Sequence, residues 1–171
     1  MKVDVNFKRG EGFLPIYKTI GSAGADLFFD IESLRDEKVN DFNKFTEEFI
    51  NNTIKDRKIF IPSFSRIVLG TGVCLKIPVN YEGQVRSRSG KSANGLILLN
   101  GVGTIDSDYR GEILLFFYNL SNEGIYIKSW ERVAQIIFTK VKRAKFKRVD
   151  KFEKLGDFCR GDSGFGSTGY F

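Results

Sequence analysis

The chain has 171 residues, of which 42% are hydrophobic and 28% charged, a composition typical of one globular domain with a buried core. It contains no histidine, which excludes Ser–His and Cys–His catalytic pairs and His-ligated zinc, so a general base would be a carboxylate, lysine or tyrosine. The net charge of +6 favours polyanionic partners such as nucleotides, nucleic acid or phosphate groups.

The opening MKVDVNFKRGEGFLP has no long apolar run, so we predict neither a secretory signal nor a membrane span.

Two apolar segments each contain polar residues that a core strand would have to accommodate. In AGADLFF, Asp26 precedes an apolar strand, and in ERVAQIIF, Arg132 and Gln135 lie on another strand. Buried polar groups need partners, so we expect an Asp26–Arg132 ion pair, which either stabilises the fold or belongs to a site.

Residues 31–57 have a helical pattern, unlike the rest of the chain. Apolar side chains recur there at three- and four-residue steps, namely Val39, Phe42, Phe45 and Phe49. The pattern predicts one helix, about 41–52, capped by Asn40 or Asp41 and ended by Asn51–Asn52. We interpret its Phe face as a packing face over the barrel or a subunit seam. A role in roofing a binding cleft is the alternative.

Short apolar runs separated by turn residues dominate the chain after residue 58. They are KIFIP, SRIVLG, VCLKIP, GQVRSRS, LILLN, EILLFFYNL, IYIK and RVAQIIFTKV. Most are too short for helices, and Gly, Asn, Ser and Pro between them supply turns. The pattern predicts an all-β sandwich, barrel or jelly roll.

The segment QVRSRSGKSANG, residues 84–95, is a candidate anion site. Arg86, Arg88 and Lys91 alternate with serines around Gly90. A strand that runs into a Gly-containing turn with hydroxyl groups can hold an anion. The segment lacks the spacing of a Walker loop, and an ordinary basic surface turn stays open as the alternative.

The segment GTIDSDYRGE, residues 103–112, is a candidate catalytic hairpin. Asp106 and Asp108 occupy alternate positions, which would place both on one side of an extended segment. A hairpin with exposed backbone can offer N–H and C=O groups to a planar base, and a carboxylate here can take a proton from water. An Asp-rich turn without a function is the alternative.

The C-terminal part is first basic and then glycine-rich. KVKRAKFKRVDKFEK, Lys140–Lys154, suggests a solvated edge strand, with a nucleic-acid stripe or nuclear import signal as the alternative. In RGDSGFGSTGYF, the glycines, hydroxyl groups and Arg160 suit phosphate oxygens, and Phe165 suits stacking on a ring. These residues predict an arm that orders around a phosphorylated ring compound.

In this order, five segments resemble the five motifs of the trimeric dUTP pyrophosphatase (dUTPase) family. They are AGADL, RSGKS, GTIDSDYRGE, RVAQIIF and RGDSGFGSTG, and the resemblance covers most of the chain apart from 31–57. It implies a distorted all-β jelly roll (the β-clip type), into which the helix predicted at about 41–52 is inserted. It also implies a homotrimer, with a β domain over 1–158 and a C-terminal arm over 159–171 that closes over a neighbour's site.

The resemblance implies hydrolysis of dUTP to dUMP and pyrophosphate with Mg²⁺, which limits uracil in DNA and supplies dUMP for thymidylate synthesis. Asp106 matches the acid that activates water for attack on the α-phosphorus. Gln135 matches a group that lies beside the α-phosphate and the attacking water. Asp26 matches an acid linked to the water shell of the metal. Residues matching base and deoxyribose contacts are Asn100, Gly103, Thr104, Ile105, Tyr109, Ile113 and Phe165. Residues matching phosphate contacts are Arg88, Ser89, Gly90, Arg160, Gly166, Ser167 and Thr168.

Some features depart from the family pattern. Lys91 and Ser92 make the second motif more basic and polar, and Asp162–Ser163 place a negative charge in the arm. For the insertion 31–57 we hypothesise that its Phe face lies near the sugar end of the nucleotide and widens tolerance for bulky 5′ groups.

Three alternative functions stay open from the sequence. A dCTP deaminase shares the fold but should lack the FGSTG arm. A non-catalytic nucleotide sensor would have lost the catalytic set, and a nucleic-acid-binding domain would depend on Lys140–Lys154 alone. We expect no specific nucleic acid and no membrane partner, and a cytoplasmic or nuclear location, with the mitochondrion left open.

Overall fold

The structure, a computed structural model, describes residues 1–150. The strands in this part are β1 (Asp4–Phe7), β2 (Ala25–Phe28), β3 (Lys58–Ile61), β4 (Arg66–Lys76), β5 (Tyr81–Ser87), β6 (Leu96–Leu98), β7 (Val102–Ile105), β8 (Glu112–Asn119), β9 (Ile125–Lys128) and β10 (Arg132–Lys140). The helices are a 3-10 helix (Ile31–Arg35), α1 (Glu37–Asn43), α2 (Glu47–Asp56) and α3 (Ser89–Ala93). No helix in this part of the chain is long and apolar enough to span a membrane.

The strands form three antiparallel sheets around one core. One sheet has the order β1-β4-β8-β6, a second has β2-β10-β5-β7, and β3 pairs with β9. Leu115 and Phe117 of the first sheet, Ile136 of the second and Ile59 of the third are all fully buried in the same apolar cluster. The prediction of an all-β fold of the jelly-roll type is confirmed.

The compact part of the chain ends at Val141. Strand β10 stops at Lys140, and residues 142–150 contain neither helix nor strand. The interpretation of Lys140–Lys154 as an edge strand is therefore wrong for its described part. The predicted boundary between a β domain and an arm, at 158/159, lies outside the described residues.

The prediction of a single helix over 41–52 is wrong, because the chain breaks between α1 and α2. Lys44 adopts a left-handed conformation with φ of 58°, and the Asn40 side chain bonds both the N–H and the C=O of Phe45. Thr46 then caps α2, with its hydroxyl accepting from Phe49 N at 3.2 Å, while Asp36 caps α1.

The apolar spacing conceals this break because the rings of Phe45 and Phe49 pack together across it, with centroids 4.5 Å apart. The predicted caps Asn40 and Asp41 lie inside α1, and the predicted stop Asn51–Asn52 lies inside α2.

Helix α1 lies against the outer side of β4. The Asn43 amide donates to Val68 O at 2.7 Å and accepts from Val68 N at 2.9 Å, so it satisfies the backbone of β4 like a neighbouring strand. Val39 of α1 is fully buried. The covering explains why β4 is buried along most of its length rather than at alternate residues.

Candidate functional site

The third motif forms a hairpin whose turn is held by its own groups. After β7, Tyr109 N donates to Asp106 O at 3.1 Å, and the Arg110 guanidinium donates to the carbonyl oxygens of Ser107 and Tyr109 at 2.7 and 2.8 Å. Residues 106–111 are thus a turn and not an extended segment. The expectation that Asp106 and Asp108 point to one side is therefore wrong.

The hydroxyl of Tyr109 closes this hairpin by donating to Glu112 O at 2.8 Å. A side-chain carbon at Gly111 would lie 2.4 Å from that hydroxyl, so the ring occupies space that only glycine leaves open. Burial, with smaller contributions from Cys74 and Glu112, raises the pKa of Tyr109 above 10.0. The ring is consequently a neutral, fixed surface at physiological pH.

A cavity of about 320 Å³ opens beside this turn, and we call it the hairpin cavity. Predicted site residues on its wall are Asn100, Gly103, Thr104, Ile105, Asp106 and Tyr109. Its apolar lining comes from Phe42, Val85, Leu98, Leu114 and Phe116. An apolar cavity with a few polar groups at its edge is the usual form of a small-molecule site.

One predicted base-contacting residue does not reach the hairpin cavity through its side chain. Ile113 is buried in the core with 1% of its surface exposed, and its carbonyl accepts from the Thr71 hydroxyl at 2.9 Å. The strand period explains this, because alternate residues of β8 face the core.

A second cavity, of about 480 Å³, contains the predicted residues of the first, second and fourth motifs, and we call it the arginine cavity. Its wall includes Asp26, Arg88, Ser89, Gly90, Arg132 and Gln135, together with Lys18 and Lys91. Four cationic side chains and one carboxylate give it an excess of positive charge, which suits a polyphosphate. Arg86 points elsewhere and bonds Gln84 on its own strand.

Asp26 holds the two arginines of this cavity. Its two oxygens accept from Arg88 Nε at 2.8 Å and from Arg132 Nη1 at 3.0 Å, so the predicted Asp26–Arg132 pair is confirmed. Arg88 also donates to Arg132 O at 3.0 Å. Because Asp26 is 8% exposed and both of its oxygens are engaged, it fixes the direction of both guanidinium groups.

Gln135 is positioned by β5 and by a glycine. Its amide donates to Ser87 O at 3.0 Å, and a side-chain carbon at Gly24 would lie 2.4 Å from its Oε1. Gly24 therefore provides the space in which the Gln135 side chain lies.

The two cavities share no lining residue. Asp106 lines one and Gln135 the other, so within one chain the two predicted catalytic residues border different cavities. The predicted arm residues Arg160, Phe165, Gly166, Ser167 and Thr168 lie outside the described part of the chain.

Within residues 1–150, no cluster of three or more Asp, Glu or Cys side chains could hold a metal ion. Asp26, the predicted metal-linked acid, already has both oxygens bonded to arginines. These residues do not form a protein cage for Mg²⁺. They fit an ion held by phosphate oxygens and water, which is how Mg²⁺ usually meets a nucleotide.

Sequence reasoning missed the ion pairs that anchor the base of the hairpin. The Arg9 guanidinium donates to both oxygens of Glu112, at 3.0 and 2.5 Å, and to Asp30 at 2.6 Å. Glu112 also accepts from Gly72 N at 2.7 Å. Burial opposes the charge of Arg9, but bonds to Glu112 and Asp30 outweigh it and raise its pKa. No local pattern marks Arg9, because its partner Glu112 lies 103 residues away.

Comparison with known proteins identifies the family. The dUTPase family model matches residues 54–169. The deoxyuridine 5′-triphosphate nucleotidohydrolase of Finegoldia magna is 40% identical over 99% of this chain and 100% of its own. The enzyme of the same name from Fusobacterium nucleatum is 39% identical over 98% of both chains.

Solved structures share the fold. The dUTPase of Staphylococcus bacteriophage 80alpha, solved with dUPNHPP, superposes with a TM-score of 0.74 at 21% identity over 98% of both chains. A mutant dUTPase of phage phi11, described with a structural Mg(II) ion, has a TM-score of 0.66 at 18% identity, over 90% of this chain and 99% of its own. The resemblance seen in the five motifs is confirmed, and the chain belongs to the dUTPase family.

Proposed function

We propose that this protein hydrolyses dUTP to dUMP and pyrophosphate. One observation carries the proposal beyond family membership: the two cavities divide the chemistry of a nucleoside triphosphate between them. The hairpin cavity has an apolar lining, a tyrosine and an exposed backbone edge, which suit a base and a deoxyribose. The arginine cavity is cationic and suits the phosphates. In a cell this activity would keep uracil out of DNA and supply dUMP.

The separation of the cavities supports a homotrimer. Because they share no lining residue, a single nucleotide can use both if the hairpin cavity of one chain faces the arginine cavity of another. Asp106 and Gln135 would then meet across the subunit boundary. A C-terminal arm would complete the site, with Phe165 on the base and Arg160, Gly166, Ser167 and Thr168 at the γ-phosphate.

In the proposed reaction, Asp106 is the general base. It takes a proton from a water molecule whose oxygen attacks the α-phosphorus, and the bond from that phosphorus to the bridging oxygen of the β-phosphate breaks. Gln135 would position this water and the α-phosphate. Arg88 would neutralise charge that develops on the leaving pyrophosphate, with Ser89 and Gly90 beside it. Mg²⁺, bound through the phosphates and with Asp26 near its water shell, would add further neutralisation.

Substrate choice would be made in the hairpin cavity. Backbone groups of 103–105 and the side chain of Asn100 would read the edge of uracil, since the amino group of cytosine reverses one donor and one acceptor. The Tyr109 ring, fixed by its bond to Glu112 O, would lie under the deoxyribose and exclude a 2′-hydroxyl by contact. Steric exclusion is needed, because an apolar surface alone discriminates weakly against an added hydroxyl.

The test is pyrophosphate release with Mg²⁺ from dUTP, dCTP, dTTP and UTP. We expect turnover of dUTP alone, and Asp106→Asn should lower kcat by at least about 100-fold, as loss of a general base does. Asp108→Asn is the matched control, because Asp108 lies on the same turn but does not line the hairpin cavity. Release from all four nucleotides at similar rates would contradict the proposal.

A non-catalytic nucleotide sensor is the second candidate. It would bind dUTP tightly and release no pyrophosphate. Asp106 on the cavity wall favours the enzyme, because a sensor has no need of a base there. The cytoplasmic or nuclear location stays a prediction from the sequence.

A further inference from the structure

Phe42 is an aromatic residue of the insertion that lines the hairpin cavity. It is 53% exposed although it is a large apolar side chain, and its ring meets Phe116 edge to face with centroids 5.3 Å apart. Asn100 and Tyr109, the residues expected to contact base and sugar, line the same cavity. An exposed ring beside such groups offers a ligand apolar contact area.

The helix that carries Phe42 is held firmly on the sheet. Asn43, the next residue, makes its two bonds to the backbone of Val68, and Val39, one turn earlier, is fully buried. Asp36 caps the start of the helix. The position of the ring is therefore determined by the fold, and a contact from a preorganised side chain costs little ordering entropy on binding.

Phe42 belongs to residues 31–57, which none of the five family motifs includes. Phe42 therefore adds to the wall of the hairpin cavity a residue from outside the third motif, which supplies Gly103 and Tyr109. The ring borders the same cavity as Tyr109, the residue expected under the deoxyribose. The expectation that the insertion widens tolerance for bulky 5′ groups stays a prediction. The remaining apolar wall near the ring comes from Leu114 and Phe116 of β8.

We infer that Phe42 is a specificity-determining residue, whose ring contacts the deoxyuridine part of the ligand and limits the size of nucleoside that the hairpin cavity accepts. The inference rests on the proposed function for the identity of the ligand. It predicts that the contact is equally present in ground and transition state, so that it acts on KM and not on kcat.

The test compares Phe42→Ala with Phe49→Ala by calorimetric titration. Phe49 is the matched control, because it is an exposed phenylalanine of the insertion that stacks on Phe45 and lines neither cavity. Probes are dUMP, which presents base and sugar with one phosphate, and pyrophosphate, which presents only phosphates. Phe42→Ala should weaken dUMP on the order of threefold to tenfold, the range for one aromatic contact, and leave pyrophosphate unchanged.

Steady-state kinetics supply the second readout. For Phe42→Ala we expect a higher KM for dUTP with an unchanged kcat, and a smaller preference for dUTP over its 5-bromo analogue. Phe42→Leu, which restores apolar volume, should recover part of the affinity. Phe49→Ala should behave as the wild type in every measurement.

Unchanged dUMP affinity in Phe42→Ala would overturn the inference. So would equal loss of dUMP and pyrophosphate binding in both variants, since that is a general effect on folding. If the wild type turns over dUTP and Phe42→Ala leaves dUMP binding intact, the inference alone is wrong. If the wild type binds dUMP through Phe42 without turnover, the proposed hydrolysis is wrong and the inference stands.

Discussion

At the scale of single residues, charged groups outside the five motifs support the hairpin. Arg9 satisfies two nearly buried carboxylates, Asp30 and Glu112, whose side chains are 2% and 3% exposed. Glu112 begins the strand that follows the Tyr109 turn, so the ion pairs hold one leg of the hairpin to Arg9, which follows β1, and through it to Asp30, which follows β2. Removing the Arg9 cation would leave these two buried carboxylates without their shared guanidinium partner.

We therefore expect Arg9→Ala to lower the free energy of unfolding by about 3–5 kcal/mol, the cost of breaking a buried ion pair. Urea unfolding at matched protein concentration measures it. Arg35→Ala is the control: Arg35 and Glu32 form an exposed pair at 3.4 Å, whose loss should cost less than about 1 kcal/mol. Equal losses in the two variants would contradict the assignment.

The Lys8–Asp36 pair predicts a pH dependence. Burial raises the pKa of Asp36, but the bond from Lys8 and the N–H of Lys38 outweigh it, so the pKa lies below 3.8. The bond to Asp36 raises the pKa of Lys8 above 10.5, against a smaller effect of burial. A lowered carboxyl pKa gives stability that is present above the unfolded value and lost as the pH falls through the folded one. A raised amine pKa gives stability that is lost as the pH rises through its folded value.

Asp36→Asn removes the charge and keeps the helix cap, because Asn caps as well as Asp. The difference in unfolding free energy between wild type and variant should be constant near neutral pH. It should shrink as the pH falls from about 3.8 toward the lower pKa of folded Asp36, because protonation of the carboxyl progressively removes the stability that its charge contributes. A difference that does not change between pH 7 and pH 3 would contradict this.

Two glycines of the N-terminal loop give a matched test of the Gln135 position. At Gly24 a methyl group would meet the Gln135 amide, whereas at Gly21 nothing lies within 4 Å. Gly24→Ala should lower kcat for dUTP on the order of tenfold or more, because displaced catalytic groups are costly. Gly21→Ala should have wild-type kinetics. Loss of activity in Gly21→Ala alone would contradict the assignment.

At the scale of elements, the insertion covers the side of β4 in the first sheet. Helix α1 reaches β4 through Asn43, whose amide occupies both backbone groups of Val68. Val68 is 6% exposed, so water cannot easily replace these bonds. The helix is only seven residues long and depends on this contact more than on its own propensity.

We expect Asn43→Ala to lower the free energy of unfolding by about 1–3 kcal/mol, since it leaves a buried N–H and C=O without partners. Asn52→Ala, at an exposed position of α2, is the control and should change stability by less than about 0.5 kcal/mol. Asn43→Ala should also raise the KM for dUTP through the loosened Phe42. Equal stability of both variants would show that α1 is not held by Asn43.

At the scale of the whole molecule, the presence of two cavities without a common lining residue supports the proposed homotrimer. One chain holds Asp106 and Gln135 in cavities without a common residue. In the proposed homotrimer, each site takes one cavity from each of two subunits. A variant with a substitution in one cavity therefore keeps the other cavity intact, and this intact cavity can form a complete site with a neighbouring subunit.

Subunit mixing tests this arrangement. Asp106→Asn and Arg88→Ala should each be nearly inactive alone. Co-refolded in equal amounts, they should regain about a quarter of wild-type activity, because random assembly makes about one site in four from two intact halves. Light scattering of the wild type should give the mass of three chains. No recovery on mixing would mean that each site is made by one chain.

The sequence by itself determined the family, the β class and one ion pair of the site. Motif segments such as GTIDSDYRGE and RVAQIIF keep their chemistry in short stretches, so residue identity and order were sufficient to place Asp106, Tyr109 and Gln135 on cavity walls. The β class was predictable for the same reason, because each strand is marked by a short apolar run of neighbouring residues. The Asp26–Arg132 pair was predictable because a buried charge needs a partner and few candidates lay on core strands.

Only the tertiary structure decided the break in the insertion, the place of Phe42 and the partner of Arg9. Helical periodicity predicts which side chains share a face but not where a left-handed residue such as Lys44 interrupts the helix. It also cannot distinguish a ring that packs on the core from one that borders a cavity. Those outcomes depend on contacts between residues such as Arg9 and Glu112, 103 positions apart, which only the folded chain brings together.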